Sequence, residues 1–141
     1  MPNNVQAITE LKSLLGDRLS TAQSVLNLHG ENETYFDITP PDAVAFPNDT
    51  AEVSEIVKIC NTHGCPVVPW GVGTSLEGHA LPIRGGVTID MLNMKEVINV
   101  AHEDLYAIVQ PGITREELNI ELRATGLFFP VDPGANATIG G

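Results

Sequence analysis

The chain has 141 residues, of which 43% are hydrophobic, and carries a formal net charge of -11 at pH 7. This length can bury one core or two small lobes, but hardly a complete multidomain enzyme. The excess of acidic residues, with the few basic ones scattered, opposes binding to nucleic acid or an anionic membrane. There is no basic start followed by an apolar run, and no apolar stretch long enough to span a bilayer. We therefore predict a soluble, cytoplasmic protein without a transmembrane segment that binds no nucleic acid.

Residues 1–34 are predicted to form an N-terminal helical segment. Apolar residues from Val5 to Leu15 follow helical spacing, and Gly16 closes that helix as a cap. A second short helix is expected over residues 21–28. The polar stretch 31–42 contains paired prolines, which favours an extended surface connection.

The next segment predicts a βαβ unit with short links. Ala43 to Phe46 reads as a strand, residues 51–63 as a helix capped by the turn before it and ended by Gly64, and Val67-Val68 as the next strand. The expected buried face of the helix consists of Val53, Ile56, Val57 and Cys60.

The second half of the chain predicts three more strands and a helix. Strands are expected over 86–91, 96–101 and 107–110, the last two as a hairpin, and a helix over 115–125. The helix is marked by a capping box of Thr114 and Glu117, a hydrophobic staple of Ile113 and Leu118, and a C-terminal cap at Gly126.

A glycine-rich turn follows the second strand of the βαβ unit, within residues 66–79, P-V-V-P-W-G-V-G-T-S-L-E-G-H. Gly71 and Gly73 have no Cβ and tolerate positive φ, so successive N–H groups can converge on one anion. Thr74 and Ser75 add hydroxyl donors at the same place. The pattern favours a diphosphate site, although an ordinary strand-to-turn connection has the same composition.

Two familiar phosphate motifs do not fit this turn. A Walker loop requires a lysine, and none lies between Lys58 and Lys95. A Rossmann fingerprint would use Gly71-x-Gly73 with Asp90 as the ribose contact, but Leu76 replaces its third glycine. The glycines and proline that follow would also break the required helix.

The sequence C-N-T-H-G-C places Cys60 and Cys65 on either side of His63. Two thiols and one imidazole fall short of a closed zinc set, and no second cysteine pair completes it. Because Cys60 lies on the apolar stripe of a helix, we predict that it packs as a small hydrophobe and that the chain binds no metal. His29, His63 and His102 have no group of chemical partners nearby in sequence and are expected to be structural or solvated.

A second glycine-rich segment, G-L-F-F-P-V-D-P-G-A-N-A-T-I-G-G, occupies residues 126–141. Its apolar part, Leu127 to Val131, is expected to form a strand. Domains seldom stop on an unpaired strand followed by two glycines, because backbone donors and apolar surface would remain uncovered. We therefore expect the sequence to stop short of a complete domain.

Together with P-D-A-V-A-F-P at residues 41–47, the two glycine-rich segments strongly resemble the FAD-binding domain of the vanillyl-alcohol oxidase and p-cresol methylhydroxylase superfamily. Within it the chain is most similar to FAD-linked D-lactate dehydrogenase and the flavoprotein subunit of glycolate oxidase. The resemblance covers residues 35–141. It implies an α+β, two-lobed PCMH-type fold, with a βαβ-containing first lobe and an incomplete second lobe.

The resemblance also implies which residues contact non-covalent FAD. The first set is Pro69, Trp70, Gly71, Val72, Gly73, Thr74 and Ser75. The second set is Asp132, Pro133, Gly134, Ala135, Asn136, Ala137, Thr138, Gly140 and Gly141. Relatives that bind FAD covalently here place a histidine where this chain has Thr74, and a threonine cannot form that bond. The turn Pro111-Gly112 resembles one that lies near the cofactor, but it is equally typical of an ordinary strand-to-helix connection.

The implied function is that of the FAD-binding portion of a flavoprotein oxidoreductase acting on a small D-2-hydroxy acid. The substrate would give a hydride to FAD, and a separate quinone, cytochrome or flavoprotein would accept the electrons. The catalytic groups of the family lie in a later cap, so the resemblance assigns no catalytic residue here. The alternatives are another FAD oxidoreductase on the same scaffold, or a truncated, non-catalytic interaction module.

Overall fold

A computed structural model describes residues 3–140 as two lobes of mixed helices and strands. The first lobe contains α1 (Asn4–Leu15), β1 (Leu19–Ser20), α2 (Gln23–Leu28), β2 (Ala43–Ala45), α3 (Thr50–His63), β3 (Val67–Trp70) and β4 (Val87–Asp90). The second contains β5 (Val97–Ala101), β6 (Tyr106–Val109) and α4 (Arg115–Leu122). Short 3-10 turns follow α1 and α4. No helix within residues 3–140 is long and apolar enough to cross a membrane.

The first-lobe sheet has the strand order β1-β2-β4-β3, in which β1 is antiparallel and the other neighbours are parallel. The predicted crossover from β2 through α3 to β3 is present, but β4 lies between the two strands. All four residues of β4 are buried, as expected for a central strand. Trp70 ends β3 directly beside Asp90, the last residue of β4. The glycine-rich turn therefore leaves the sheet at the carboxyl ends of its parallel strands, where α/β sheets commonly bind ligands.

The core of the first lobe lies between this sheet and the packed pair α1 and α3. Its buried side chains include Ala7, Leu11 and Leu15 from α1, Ile56 and Cys60 from α3, and Ala43, Ala45, Val87 and Ile89 from the sheet. The prediction that Val57 is buried is wrong, since it is 45% exposed. Ile56 and Cys60 are one turn apart and face the core, whereas Val57 is rotated by about 100° from Ile56.

In the second lobe, α4 packs on the antiparallel hairpin of β5 and β6. The predicted capping box is formed, and Ile113 and Leu118 are buried in the same cluster as Leu122. The helix ends at Leu122, and a 3-10 turn carries the chain to Gly126. The expected strand over 127–131 is absent, because these residues pair with no strand in the described part of the chain.

Candidate functional site

A cavity of ≈ 370 Å³ lies between the turn that follows β3 and the second glycine-rich segment. Its lining consists of Gly71, Val72, Gly73, Thr74, Ser75, His79, Ala80, Pro133, Ala137, Thr138, Ile139 and Gly140. None of these residues is acidic, although the chain as a whole carries a net charge of -11. An anion in this cavity would therefore meet no carboxylate in the lining.

The glycines of the first segment allow contacts that a side chain would block. A Cβ on Gly71 would overlap Oγ1 of Thr138 and lie 2.9 Å from the carbonyl oxygen of Gly140. A Cβ on Gly73, which has φ of +72°, would overlap the indole ring of Trp70. Gly71 therefore brings the two segments into direct contact, and Gly73 lets the turn lie against the tryptophan.

Residues 71–75 present a run of unused backbone donors. Within residues 3–140, none of these five N–H groups donates a hydrogen bond to a backbone or side-chain acceptor. Thr74 and Ser75 add hydroxyl groups, and the Ser75 Oγ lies 3.2 Å from Nδ1 of His79. Consecutive free N–H groups in a turn form an anion-binding concavity, and the dipoles need no lysine to act on a phosphate.

The second segment is held in place by the start of α4. The Arg115 N–H donates to the carbonyl of Ala137 at 3.0 Å, and the Ile139 N–H donates to Ile113 at 2.8 Å. The Gly140 N–H donates to the carbonyl of Pro111 at 2.8 Å. The Pro111-Gly112 turn thus supports the segment from behind but does not line the cavity.

The structure brings nine of the sequence-predicted contact residues to the cavity: Gly71, Val72, Gly73, Thr74, Ser75, Pro133, Ala137, Thr138 and Gly140. It places Pro69, Trp70, Asp132, Gly134, Ala135 and Asn136 outside the lining. Gly141 lies outside the described residues. His79, Ala80 and Ile139 also line the cavity, although none of them belongs to the two predicted contact sets. The sequence signal that could have identified these three residues is their position within or next to the two glycine-rich segments.

Two of the histidines have partners that lie far from them in the sequence. His29 has a partner that sequence proximity could not reveal, because its Nε2 lies 2.9 Å from Oδ2 of Asp90, 61 positions later. Both side chains are buried, at 3% and 5% exposed. His63 also has a partner, since its Nε2 lies 2.9 Å from Oε1 of Glu10.

The two cysteines are free and buried. Cys60 is 1% exposed on the core face of α3, where it packs as a small hydrophobe, as predicted. Burial, with a smaller contribution from Cys65, raises the pKa of the Cys60 thiol to about 12. Burial also raises the pKa of Cys65. Because the thiolate is the reactive form and the metal ligand, burial and the raised pKa values reduce the reactivity of both thiols.

Comparisons with known proteins agree with this geometry. Residues 41–141 match the family model described as FAD binding domain. The chain is 46% identical over 138 residues to the protein named D-lactate dehydrogenase [cytochrome], mitochondrial, of Arabidopsis thaliana, covering 96% of this chain and 24% of that protein. It is 39% identical over 113 residues to a glycolate oxidase subunit of Bacillus subtilis, covering 75% of this chain and 24% of that protein. The chain thus spans about a quarter of the length of these relatives.

Solved structures confirm the predicted two-lobed PCMH-type fold. An alkyldihydroxyacetonephosphate synthase matches 99% of this chain and 29% of its own, with a TM-score of 0.87 and 26% identity. A p-cresol methylhydroxylase with bound substrate matches 87% of this chain and 25% of its own, with a TM-score of 0.77 and 26% identity. The prediction of FAD as the cofactor is confirmed by the family match. The chain belongs to the FAD-binding domain family of flavoproteins.

Proposed function

We propose that the cavity between the two glycine-rich segments holds the diphosphate of non-covalently bound FAD. The observation that carries this proposal is the run of N–H groups on residues 71–75, which donate to no acceptor within residues 3–140 and line a cavity whose described lining has no carboxylate. A diphosphate needs several donors and close approach of the backbone, and Gly71 and Gly73 provide that approach. The hydroxyl groups of Thr74 and Ser75 complete the donor set.

Each group of residues has a distinct role in this proposal. The N–H groups of 71–75 bind the diphosphate, and the Gly71 contact with Thr138 fixes the distance between the two walls. Thr138 and Gly140, held by the links of their segment to Pro111 and the start of α4, would contact the cofactor from the opposite wall. The bound flavin would supply the hydride-accepting chemistry that amino-acid side chains lack.

For the whole protein we propose the activity of a D-2-hydroxy-acid dehydrogenase of the lactate or glycolate type. In this reaction a small 2-hydroxy acid is oxidised, and a separate quinone, cytochrome or flavoprotein takes the electrons. Support comes from the names of the relatives, which include a D-lactate dehydrogenase and a glycolate oxidase subunit. We assign no catalytic residue within this chain.

The second candidate is a different reaction on the same scaffold, such as that of an alkyldihydroxyacetonephosphate synthase. It is favoured by the fold match over 99% of this chain. Identity to that protein is 26%, against 46% to the Arabidopsis D-lactate dehydrogenase, so we prefer the dehydrogenase. A third candidate, a non-catalytic module that binds partners, would bind little FAD.

Equilibrium dialysis against FAD tests the proposed site. The parent chain and a Cys60→Ala control should bind FAD equally, because Cys60 lies in the core away from the cavity. Gly71→Ala should weaken binding by about tenfold or more, since the added methyl group must displace Thr138. Equal affinity in all three proteins, or no binding by the parent, would overturn the assignment.

An activity assay on the protein from its native source separates the candidate reactions. Dye reduction with D-lactate or glycolate, but not with L-lactate, is the expected result for a D-2-hydroxy-acid dehydrogenase. Formation of alkyldihydroxyacetone phosphate without dye reduction would favour the second candidate. Absence of both reactions, together with failure of the purified protein to retain FAD, would favour the non-catalytic module.

Two further points are proposals. We propose, on composition alone, that the protein lies in the cytoplasm. The competing compartment is the mitochondrion, since the Arabidopsis relative is named as mitochondrial. Cell fractionation followed by detection with an antibody distinguishes the two. We also propose that residues 35–141 form the cofactor-binding unit and residues 1–34 a supporting segment. No described residue before position 35 lines the cavity, although α1 and β1 complete the core and the sheet.

A further inference from the structure

A buried polar pair lies beneath the glycine-rich turn and plays no part in the proposed binding of the diphosphate. His29 follows α2, and Asp90 ends the central strand β4. Both lie beside Trp70, which ends β3 immediately before the turn. None of the three residues lines the cavity, so a direct contact with the cofactor does not account for them.

All four polar side-chain atoms of this pair have hydrogen-bond partners. Nδ1 of His29 lies 2.8 Å from the carbonyl oxygen of Val25, which can only accept, so Nδ1 carries a proton. Nε2 faces Oδ2 of Asp90 at 2.9 Å, and one proton lies between them. The other carboxylate oxygen, Oδ1, accepts the Leu92 N–H at 2.8 Å. The pair is therefore a fully satisfied network, and such networks hold their members rigidly.

Direct contacts lead from this pair to the turn. The imidazole of His29 lies close to two aromatic rings, with its centroid 5.1 Å from that of Trp70 and 5.9 Å from that of Phe46. The indole also lies against Gly73, where a Cβ would overlap the ring. Any shift of the imidazole would therefore move the indole, and a shift of the indole would change the shape of the turn.

We infer that His29 and Asp90 are positioning residues for the flavin site, which act by fixing Trp70 under the glycine-rich turn. The inference rests on the proposed function, because the turn is taken to bind the diphosphate. Replacing a buried polar pair by apolar residues often leaves the free energy of unfolding unchanged, so a contribution to stability does not by itself explain the His29–Asp90 pair. Its physical effect here is to give the indole, and with it Gly73, one defined position.

Trp70 is the only tryptophan in the chain, so its fluorescence reports on this position directly. His29→Ala should raise the acrylamide quenching of Trp70 about twofold and weaken FAD binding roughly tenfold, as expected when a preorganised site is loosened. Asp90→Asn should behave like the parent. With a neutral imidazole, the Asn amide group can donate to Nε2 while its oxygen still accepts the Leu92 N–H.

Cys60→Ala is the matched control, since it removes a buried core group from α3 without touching Trp70. It should lower the melting temperature and leave both quenching and FAD affinity unchanged. If circular dichroism shows that His29→Ala does not fold, His29→Gln takes its place. The glutamine keeps a donor for Asp90, but it has no aromatic ring to contact Trp70. We therefore expect a smaller rise in Trp70 quenching and a smaller loss of FAD affinity than in His29→Ala.

The outcomes separate this inference from the proposed function. Failure of the parent chain to bind FAD would overturn the function of the site. Parent-like quenching and affinity in folded His29 variants would overturn the positioning role alone. The positioning role would also be overturned if Cys60→Ala lowers the melting temperature as much as His29→Ala and weakens FAD binding as much as His29→Ala. Loss of FAD affinity in Asp90→Asn without a change in quenching would also contradict it, because the charge rather than the geometry would then matter.

Discussion

Replacement of Gly73 by valine should weaken FAD binding while leaving the chain folded. Gly73 has φ of +72°, a conformation that costs a residue with a Cβ about 1–2 kcal/mol. The Cβ would also overlap the indole of Trp70, which is 5% exposed and has little room to move. The free variant relieves this strain by moving the turn out of its binding conformation, and FAD binding must restore it. Because 1.4 kcal/mol corresponds to a factor of ten, this backbone term predicts a loss of affinity of about tenfold, and the displaced indole adds to it.

The matched control for this substitution is Gly126→Val. Gly126 has nearly the same φ, +74°, but a Cβ there would meet no atom within 4 Å, and the residue lies outside the cavity. The control therefore imposes the same backbone cost without the steric effect at the site. FAD dissociation constants are measured by flavin fluorescence for parent, Gly73→Val and Gly126→Val at equal folded fraction. Equal affinity in the parent and Gly73→Val would refute the reasoning.

Three further predictions concern the cofactor linkage, pH and thiol chemistry. Acid precipitation should release all flavin into the supernatant, because the family resemblance places Thr74 where covalently linked relatives have a histidine, and flavin that stays with the peptide would contradict this. Arg18 lowers the pKa of Glu52 from 4.5 to about 2, so the stability that this ion pair adds to the fold is complete above pH 4.5 and is lost as pH falls toward 2. Glu52→Gln should therefore reduce the dependence of the melting temperature on pH over that range. An unchanged dependence would count against the pair. Since burial raises the pKa of Cys60 to about 12 and also that of Cys65, a disulfide reagent should modify them only after urea unfolding, and rapid labelling of the native chain would disagree.

Local signals in the sequence predicted most of the elements. The capping box of Thr114 and Glu117 and the positive-φ cap at Gly64 depend on residues a few positions apart, and both are present in the structure. The place of β4 between β2 and β3 could not be predicted, because strand order depends on pairings between distant segments. The strand predicted over 127–131 is not formed, and Phe128 and Val131 of this segment are exposed.

The site was predictable only in its glycine-rich part. Gly71 and Gly73 indicate that the backbone of this turn lies close to another group. The sequence does not show that the group close to Gly71 is Thr138. The pairing of His29 with Asp90 joins residues 61 positions apart and leaves no periodic signal. The resemblance to a known family identified FAD as the cofactor. From composition and spacing alone, the ligand could be predicted only to carry a diphosphate.

Amide chemical-shift mapping with FAD tests the central claim most directly. Two-dimensional ¹H–¹⁵N spectra of the labelled chain would be recorded with FAD and with riboflavin, which lacks the diphosphate. The account predicts that FAD shifts the amides of residues 71–75 and of Thr138 most strongly, and that riboflavin leaves 71–75 nearly unchanged. Shifts confined to other surfaces, such as the apolar groove formed by the hairpin and Phe128, would contradict it. Equal shifts of residues 71–75 by both ligands would contradict it as well.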